Sequence, residues 1–239
     1  MDWETLNSTE CVNILNADTR RGLSDREAQK RLKKNGKNEL IPPKKKNLLL
    51  RFLSQFSDFM VIILLIAAAI SFVTSYLQQD ADYIDSIIIL VIVVLNAFIG
   101  LVQESRAEKA IEALKKMSSP HACVLRGGEL RNIPASDLVT GDLVQLKSGD
   151  MVPADIRLLE SHDLRCEESA LTGESLPVEK NAAQRCPAGT ALGDRKNMLF
   201  SSSVLTAGNG TGVVVATGMD TQVGKIAGML SAQEAPKTP

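Results

Sequence analysis

Two stretches without a formal charge dominate this sequence. The first runs from residue 59 to 79 and the second from 86 to 103, which makes them 21 and 18 residues long. An α-helix needs roughly 20 apolar residues to cross a bilayer core, so each stretch is long enough for a membrane span. The run from Ile87 to Leu95 is apolar all round, a pattern that a surface helix does not have. Two buried helices of a soluble core are the other arrangement that would satisfy it. The link between the stretches carries Asp80, Asp82 and Asp85. Lys44, Lys45, Lys46 and Arg51 precede the first stretch, and Arg106, Lys109, Lys115 and Lys116 follow the second. Basic residues are retained on the cytosolic side, so this asymmetry predicts a multi-pass integral membrane protein with both termini cytosolic and the acidic link outside. The lipid bilayer is then the first partner.

The second helix is expected to continue past the membrane. Ala107, Ala110, Ile111, Leu114 and Met117 recur at helical spacing, and Glu112 and Lys116 stand four apart as a possible ion pair. Residues 86–117 would extend about 48 Å at 1.5 Å per residue, well beyond the hydrocarbon core. The excess reads as a cytosolic stalk. Ahead of the membrane, Ser24 and Glu27 have the spacing of a capping box, with Leu23 and Ala28 placed to form a hydrophobic staple. Gly36 is placed to end that helix. A short helix is expected near Thr9 to Asn16, and Pro42-Pro43 begin a stiff, basic approach to the first span.

From Ser118 the pattern changes to short strands and tight turns. Gly127-Gly128 joins ACVLR to ELRNI as a hairpin. The segments 143–147, 155–160, 198–205 and 212–218 follow as strands, and Val223 to Leu230 closes the region as a helix. Such spacing predicts an all-β sandwich or jelly roll of about 110 residues. The whole chain reads as an α+β membrane protein with eight sections. These are an N-terminal helical segment (1–46), a pre-membrane segment (47–57), a first membrane helix (58–79), an external loop (80–85), a second membrane helix (86–103), a stalk (104–117), a jelly-roll-like β domain (118–230) and a linker (231–239).

Several functions are excluded on composition and motif. Lys+Arg number 27 and Asp+Glu 28, whereas a nucleic-acid binder carries a basic excess. Aromatic residues make up 4% of the chain, too few for a base-stacking platform. Cys11, Cys123, Cys166 and Cys186 form no C-x-x-C pair and read as reduced structural thiols. The opening MDWETLNSTE lacks the basic and apolar regions of a signal peptide. Five residues separate Gly218 from Gly224, and Ile226 follows Lys225, so this is not a phosphate loop. The glycines at 208, 210 and 212 lead into a strand rather than a helix, which excludes a dinucleotide fingerprint. No nucleotide-binding or metal site is expected within these residues.

The stretch from 141 to 180 is the candidate for chemistry. It contains Gly141-Asp142, then GDMVPADIR, and then Glu168-Ser169-Ala170-Leu171-Thr172-Gly173-Glu174-Ser175. Taken alone, Thr172 to Ser175 form a polar turn with one carboxylate, and such residues usually serve the turn. A carboxylate on a loop held by a β scaffold is also suited to act as a general base or to orient water. Gly173 would let the backbone turn sharply and push Glu174 outward. Residues alone leave a second class open, a small channel or a membrane-tethered regulatory module. The second apolar stretch offers only Asn96 and Gly100 for a pore, where a pathway needs polar groups.

Taken in order, these motifs resemble a P-type cation-transporting ATPase, and the calcium-pump (P2) branch in particular. GLSDREAQKRLKKNGKNEL is similar to that family's N-terminal cytoplasmic segment, and NAFIGLVQESRAEKAIEALKKM to its second membrane helix and stalk. GDLVQLKSGDMVPADIRLLE, ALTGES and MLFSSSVLTAGNGTGVVVATGMDTQVGKI are similar to its actuator domain. The sequence departs from the family pattern at Glu167, where Asp is frequent, at Ser202-Ser203, where Gly-Thr is frequent, and at Ser57, where animal calcium pumps carry an acidic residue.

The resemblance implies an ATP-driven cation pump, with calcium as the expected ion. ATP and Mg²⁺ would bind outside this chain, in the phosphorylation and nucleotide domains that, with the remaining membrane helices, would be its partners. The phosphorylated Asp and its DKTG motif would also lie beyond these residues, so the chain alone is expected to be inactive. By resemblance, Glu174 would orient and activate the water that hydrolyses the phosphoaspartate. Thr172, Gly173 and Ser175 would complete that catalytic loop, the first two shaping it and excluding other water. The stalk and the linker near Pro236 would pass actuator motion to the membrane. Asn96 and Gly100 would serve helix packing, and Glu104 would guide cations inward or be a plain stalk charge.

Overall fold

The computed structural model describes residues 1–40, 47–77, 83–117 and 120–232. Expectations resting on Pro42-Pro43, Lys44 to Lys46, Asp80, Asp82 and the end of the linker fall outside the described residues, as do those on the side chains of Glu112, Lys115 and Lys116. The helices in chain order are α1 (Ser8–Ile14), α2 (Asp25–Asn35), α3 (Leu48–Gln55), α4 (Phe59–Leu77), α5 (Ile84–Met117), α6 (Ser169–Thr172) and α7 (Gln222–Ala232). The strands are β1 (His121–Arg126), β2 (Glu129–Pro134), β3 (Leu143–Lys147), β4 (Asp155–Glu167), β5 (Val178–Glu179), β6 (Met198–Leu199) and β7 (Val204–Ala216). Two units result, one formed by Met1–Pro42 with Ser119–Pro239 and the other by Pro43–Ser118.

The strands of the first unit form one antiparallel sheet in the order β2-β1-β3-β7-β4-β5, with β6 paired to β4. Gly127 and Gly128 turn β1 into β2 with φ of 62° and 88°. Two consecutive positive φ angles suit a tight hairpin and favour glycine at both positions. Side chains alternate between faces along each strand. Val124, Val144, Ile156, Leu158 and Val214 point into the main core, while Leu125, Leu143, Val213 and Val215 join a second cluster on the other face. Ile156 pairs with Val214 and Cys166 with Leu205, with a one-residue register shift between Leu158 and Glu160. That bulge lets an even and an odd position on β7 face the same core. The segment from Met198 to Leu205, read from sequence as a single strand, is two strands. They are separated by a turn in which Ser202 takes a positive φ of 70°.

The N-terminal segment belongs to this unit. It covers the second face of the sheet, where Trp3, Leu6, Cys11 and Leu15 pack with Leu143, Phe200 and Val213. Arg31 Nη1 donates to the carbonyls of Leu15 and Thr140 at 2.9 and 2.8 Å. Asn38 Nδ2 donates to Ala135 O and Pro153 O, and its Oδ1 accepts from the Gly218 N–H at 2.7 Å. The reciprocal capping box sits one helix earlier than the sequence spacing suggests. Asn7 accepts from the Glu10 N–H while the Asn7 N–H donates to the Glu10 carboxylate. Ser24 supplies only its half, because the Glu27 carboxylate accepts from Arg31 Nε at 3.0 Å. The Leu23–Ala28 staple does form, and it closes over Val139.

In the second unit, α4 and α5 have the length and apolar composition of membrane spans, and most of their large side chains are exposed. A lipid-facing helix is expected to look like this, whereas the core helix of a soluble protein buries such residues. Their contact uses small side chains such as Ala68 and Ala97 together with Val93, as membrane helices do in order to approach closely. The helix α5 runs unbroken for 34 residues, about 51 Å at 1.5 Å each. The pre-membrane residues form a helix of their own, α3, which sequence reading left unassigned. It meets α5 at Gly100, where an added Cβ would lie 2.7 Å from Gln55 Oε1.

Candidate functional site

The Thr172–Ser175 loop is built at the end of the longest strand pair. After β4 ends at Glu167, a single helical turn, α6, carries Leu171 and Thr172, and Gly173 stops it in the left-handed region at φ 77°. Glycine adopts that conformation without steric cost, which is why the turn can be this sharp. The chain returns as β5, with Cys166 opposite Val178 and Arg165 opposite Glu179. Everything between is a tip in which Gly173, Glu174, Ser175, Leu176 and Pro177 are exposed.

Thr172 organises the tip. Its hydroxyl donates to the Glu168 carbonyl at 3.2 Å and accepts from the Glu174 N–H at 3.3 Å. The N–H groups of Leu171, Thr172 and Gly173 are taken up by Glu168 O, Glu168 O and Ser169 O at 2.9, 3.0 and 2.9 Å. The backbone is thus fixed up to residue 174, and the Glu174 carboxylate projects from it into solvent. All four candidate residues lie on this one loop. Glu104 is placed elsewhere, on α5, where its Oε2 accepts from Gln55 Nε2 at 3.4 Å.

Sequence reasoning missed what lies under the tip. The Glu168 carboxylate points inward, 2.6 Å from Lys180 Nζ, and both side chains are almost fully buried. Burial pushes the Glu168 carboxyl above its ordinary range, and the adjacent ammonium opposes that shift. Lys180 Nζ also donates to Arg195 O at 3.3 Å and lies 5.6 Å from the centre of the Phe200 ring. Glu168 stood within the quoted motif, but the partner twelve positions on gave no local signal. A groove of about 820 Å³ lies between α1 and the sheet and is lined by residues such as Asn13, Leu130 and Gln145. It contains none of the loop residues. Among the described residues, no cluster of three or more His, Cys, Asp or Glu side chains is arranged to hold a metal.

This combination of parts is a known one. A family model described as "P-type ATPase actuator domain" matches residues 116–231, and one described as "Cation transporter/ATPase, N-terminus" matches residues 3–71. The chain carries the N-terminal region and the actuator domain of the P-type cation-transporting ATPases. It is 44% identical over 239 residues to a calcium-transporting ATPase of Bacillus subtilis, covering 100% of this chain and 26% of that protein. It is 44% identical over 242 residues to calcium-transporting ATPase 1 of Bacillus cereus, covering 100% of this chain and 27% of that one. A probable cation-transporting ATPase F of Mycobacterium bovis is 43% identical over 230 residues, 96% of this chain and 25% of the relative. The chain therefore spans about a quarter of the length of these curated relatives.

Proposed function

We propose that this chain is the actuator end of an ATP-driven cation pump, with Ca²⁺ the transported ion, and that Glu174 drives hydrolysis of a phosphoaspartate formed on another domain. The observation that carries the reading is the contrast at the loop. A single carboxylate is held out at a glycine-turned tip whose backbone is pinned by Thr172 and whose base is buried. A group held this way can reach into a second domain without rearranging its own. Water would attack phosphorus, the bond from phosphorus to the aspartyl oxygen would break with the aspartate carboxylate as leaving group, and Glu174 would take a proton from the attacking water as inorganic phosphate forms. The names of the relatives support Ca²⁺, and ATP and Mg²⁺ would be bound outside these residues. The charge asymmetry around the two apolar stretches supports cytosolic termini, with the link between α4 and α5 outside.

The test is Glu174→Gln in the complete pump, which keeps size and hydrogen bonding but removes the basic oxygen. Phosphoenzyme should still form from ATP. Its decay after an unlabelled chase should slow by about 10²–10⁴-fold, the usual worth of general-base catalysis. Decay at the wild-type rate in a stably folded variant would remove Glu174 from the hydrolytic step.

A further inference from the structure

The buried pair beneath the loop stands where it can set the position of the tip, and we propose that Glu168 and Lys180 are positioning residues for Glu174. The inference rests on the hydrolytic reading of Glu174 above. Glu168 and Lys180 are the two feet of the loop, since one precedes α6 and the other follows β5. Their ion pair at 2.6 Å closes the eleven-residue arch between them like a clasp. From the first foot a single series of bonds leads to the tip. The Glu168 carbonyl holds the Thr172 N–H and hydroxyl, and the Thr172 hydroxyl holds the Glu174 N–H. A shift of residue 168 is therefore passed directly to residue 174.

Lys180 adds a second constraint. Its ammonium donates to the carbonyl of Arg195, and the Arg195 side chain is itself fixed to Thr190 O at 2.9 Å and to the Glu4 carboxylate at 3.1 Å. Between those anchors, the turn Leu192–Asp194 lies against the loop. A Cβ added at Gly193 would be 3.1 Å from Thr172 Cγ2. One ammonium thus joins the base of the loop to the turn that flanks it. A dry ion pair seldom stabilises a fold more than apolar side chains of the same volume would. What it provides is position, because the attraction holds the two feet together while Lys180 Nζ also holds the Arg195 carbonyl. A catalytic group misplaced by about 1 Å can lose most of its effect, so control of position at the base of an exposed tip has a functional use.

The test uses the complete pump and labelled phosphoenzyme, comparing Lys180→Met, the neutral pair Glu168→Gln/Lys180→Met, and each of them combined with Glu174→Gln. The neutral pair leaves no uncompensated buried charge and so carries the test if Lys180→Met alone fails to fold. Phosphoenzyme formation from ATP should be unchanged, while its decay slows by about tenfold in both variants, in line with a misplaced rather than a missing base. On the Glu174→Gln background the same changes should slow decay by less than about twofold, because the group they position has already been removed. A merely structural role predicts wild-type decay in the neutral pair, or an equal slowing on both backgrounds, and either result overturns the proposal. Wild-type decay in Glu174→Gln itself would instead overturn the reading of the loop on which the proposal stands.

Discussion

Asp142 offers the sharpest test of what holds the actuator unit together. Its side chain is fully buried and accepts three hydrogen bonds, from Arg126 Nε at 2.8 Å, Arg126 Nη2 at 2.6 Å and the Val139 N–H at 2.9 Å. The fork of two parallel bonds ties β1 to the turn that begins β3. Asp142→Asn preserves shape and one acceptor for Val139 but turns an amide N–H₂ toward a guanidinium that is itself mostly buried. Breaking one side of a buried pair costs about 3–5 kcal/mol. Arg126 Nη2 keeps the Asp137 carbonyl at 3.0 Å, which places the expected loss near the low end, about 3 kcal/mol. For a unit of this size each kcal/mol moves the midpoint by about 2–4 °C, so the melting temperature should fall by about 6–12 °C. The chain has one tryptophan, Trp3, and it packs on the cluster of Leu143, Phe200 and Val213. Trp3 fluorescence in detergent therefore reports unfolding of this unit. The control is Arg131→Ala, which removes the exposed pairs to Asp25 and Glu129 and should leave the midpoint in place, as solvent-screened pairs do. A midpoint in Asp142→Asn within about 2 °C of the wild type would refute the assignment of this pair as a structural anchor.

Gly22 has φ of 65°, and a Cβ there would fall 1.8 Å from the Leu125 carbonyl oxygen. Gly22→Ala should weaken docking of the N-terminal segment by about 3 kcal/mol or more, seen as a red-shifted Trp3 emission at low denaturant. Cys11, Cys166 and Cys186 are buried, and burial pushes the Cys166 thiol up to about 12. Iodoacetamide at pH 8 should therefore label half-buried Cys123 well ahead of the other three, and equal rates for Cys166 would contradict its burial. The Asp18 carboxylate accepts the N–H groups of Arg20 and Arg21, which hold its carboxyl below the ordinary 3.8. A lowered folded pKa gives stability that is present above the unfolded value and lost as pH falls through the folded one. The midpoint difference between wild type and Asp18→Asn should thus shrink as pH is lowered below about 4.

The elements that could be read from sequence are those whose cause is local. Uncharged, mostly apolar stretches of 21 and 18 residues leave a helix as the way to satisfy their backbone in lipid, so α4 and α5 follow from composition alone. Gly127-Gly128 requires a tight turn, and Gly173 lets the chain reverse and expose Glu174, because each acts through its own φ angle. The turn from Thr172 to Ser175 was legible for the same reason, since its four residues are consecutive, whereas the part given to Glu174 came from the family resemblance. Tertiary structure alone decided what lies around them. Asn197 reaches Glu4 O across 193 positions, and Gly218 reaches Asn38 across 180. Contacts of that separation leave no periodicity in a sequence, so the N-terminal segment read as a section of its own until it was found on the sheet. The Glu168–Lys180 clasp escaped for a related reason. A glutamate and a lysine twelve apart look like two ordinary surface charges, and only the fold, by burying both, makes each the other's necessary partner.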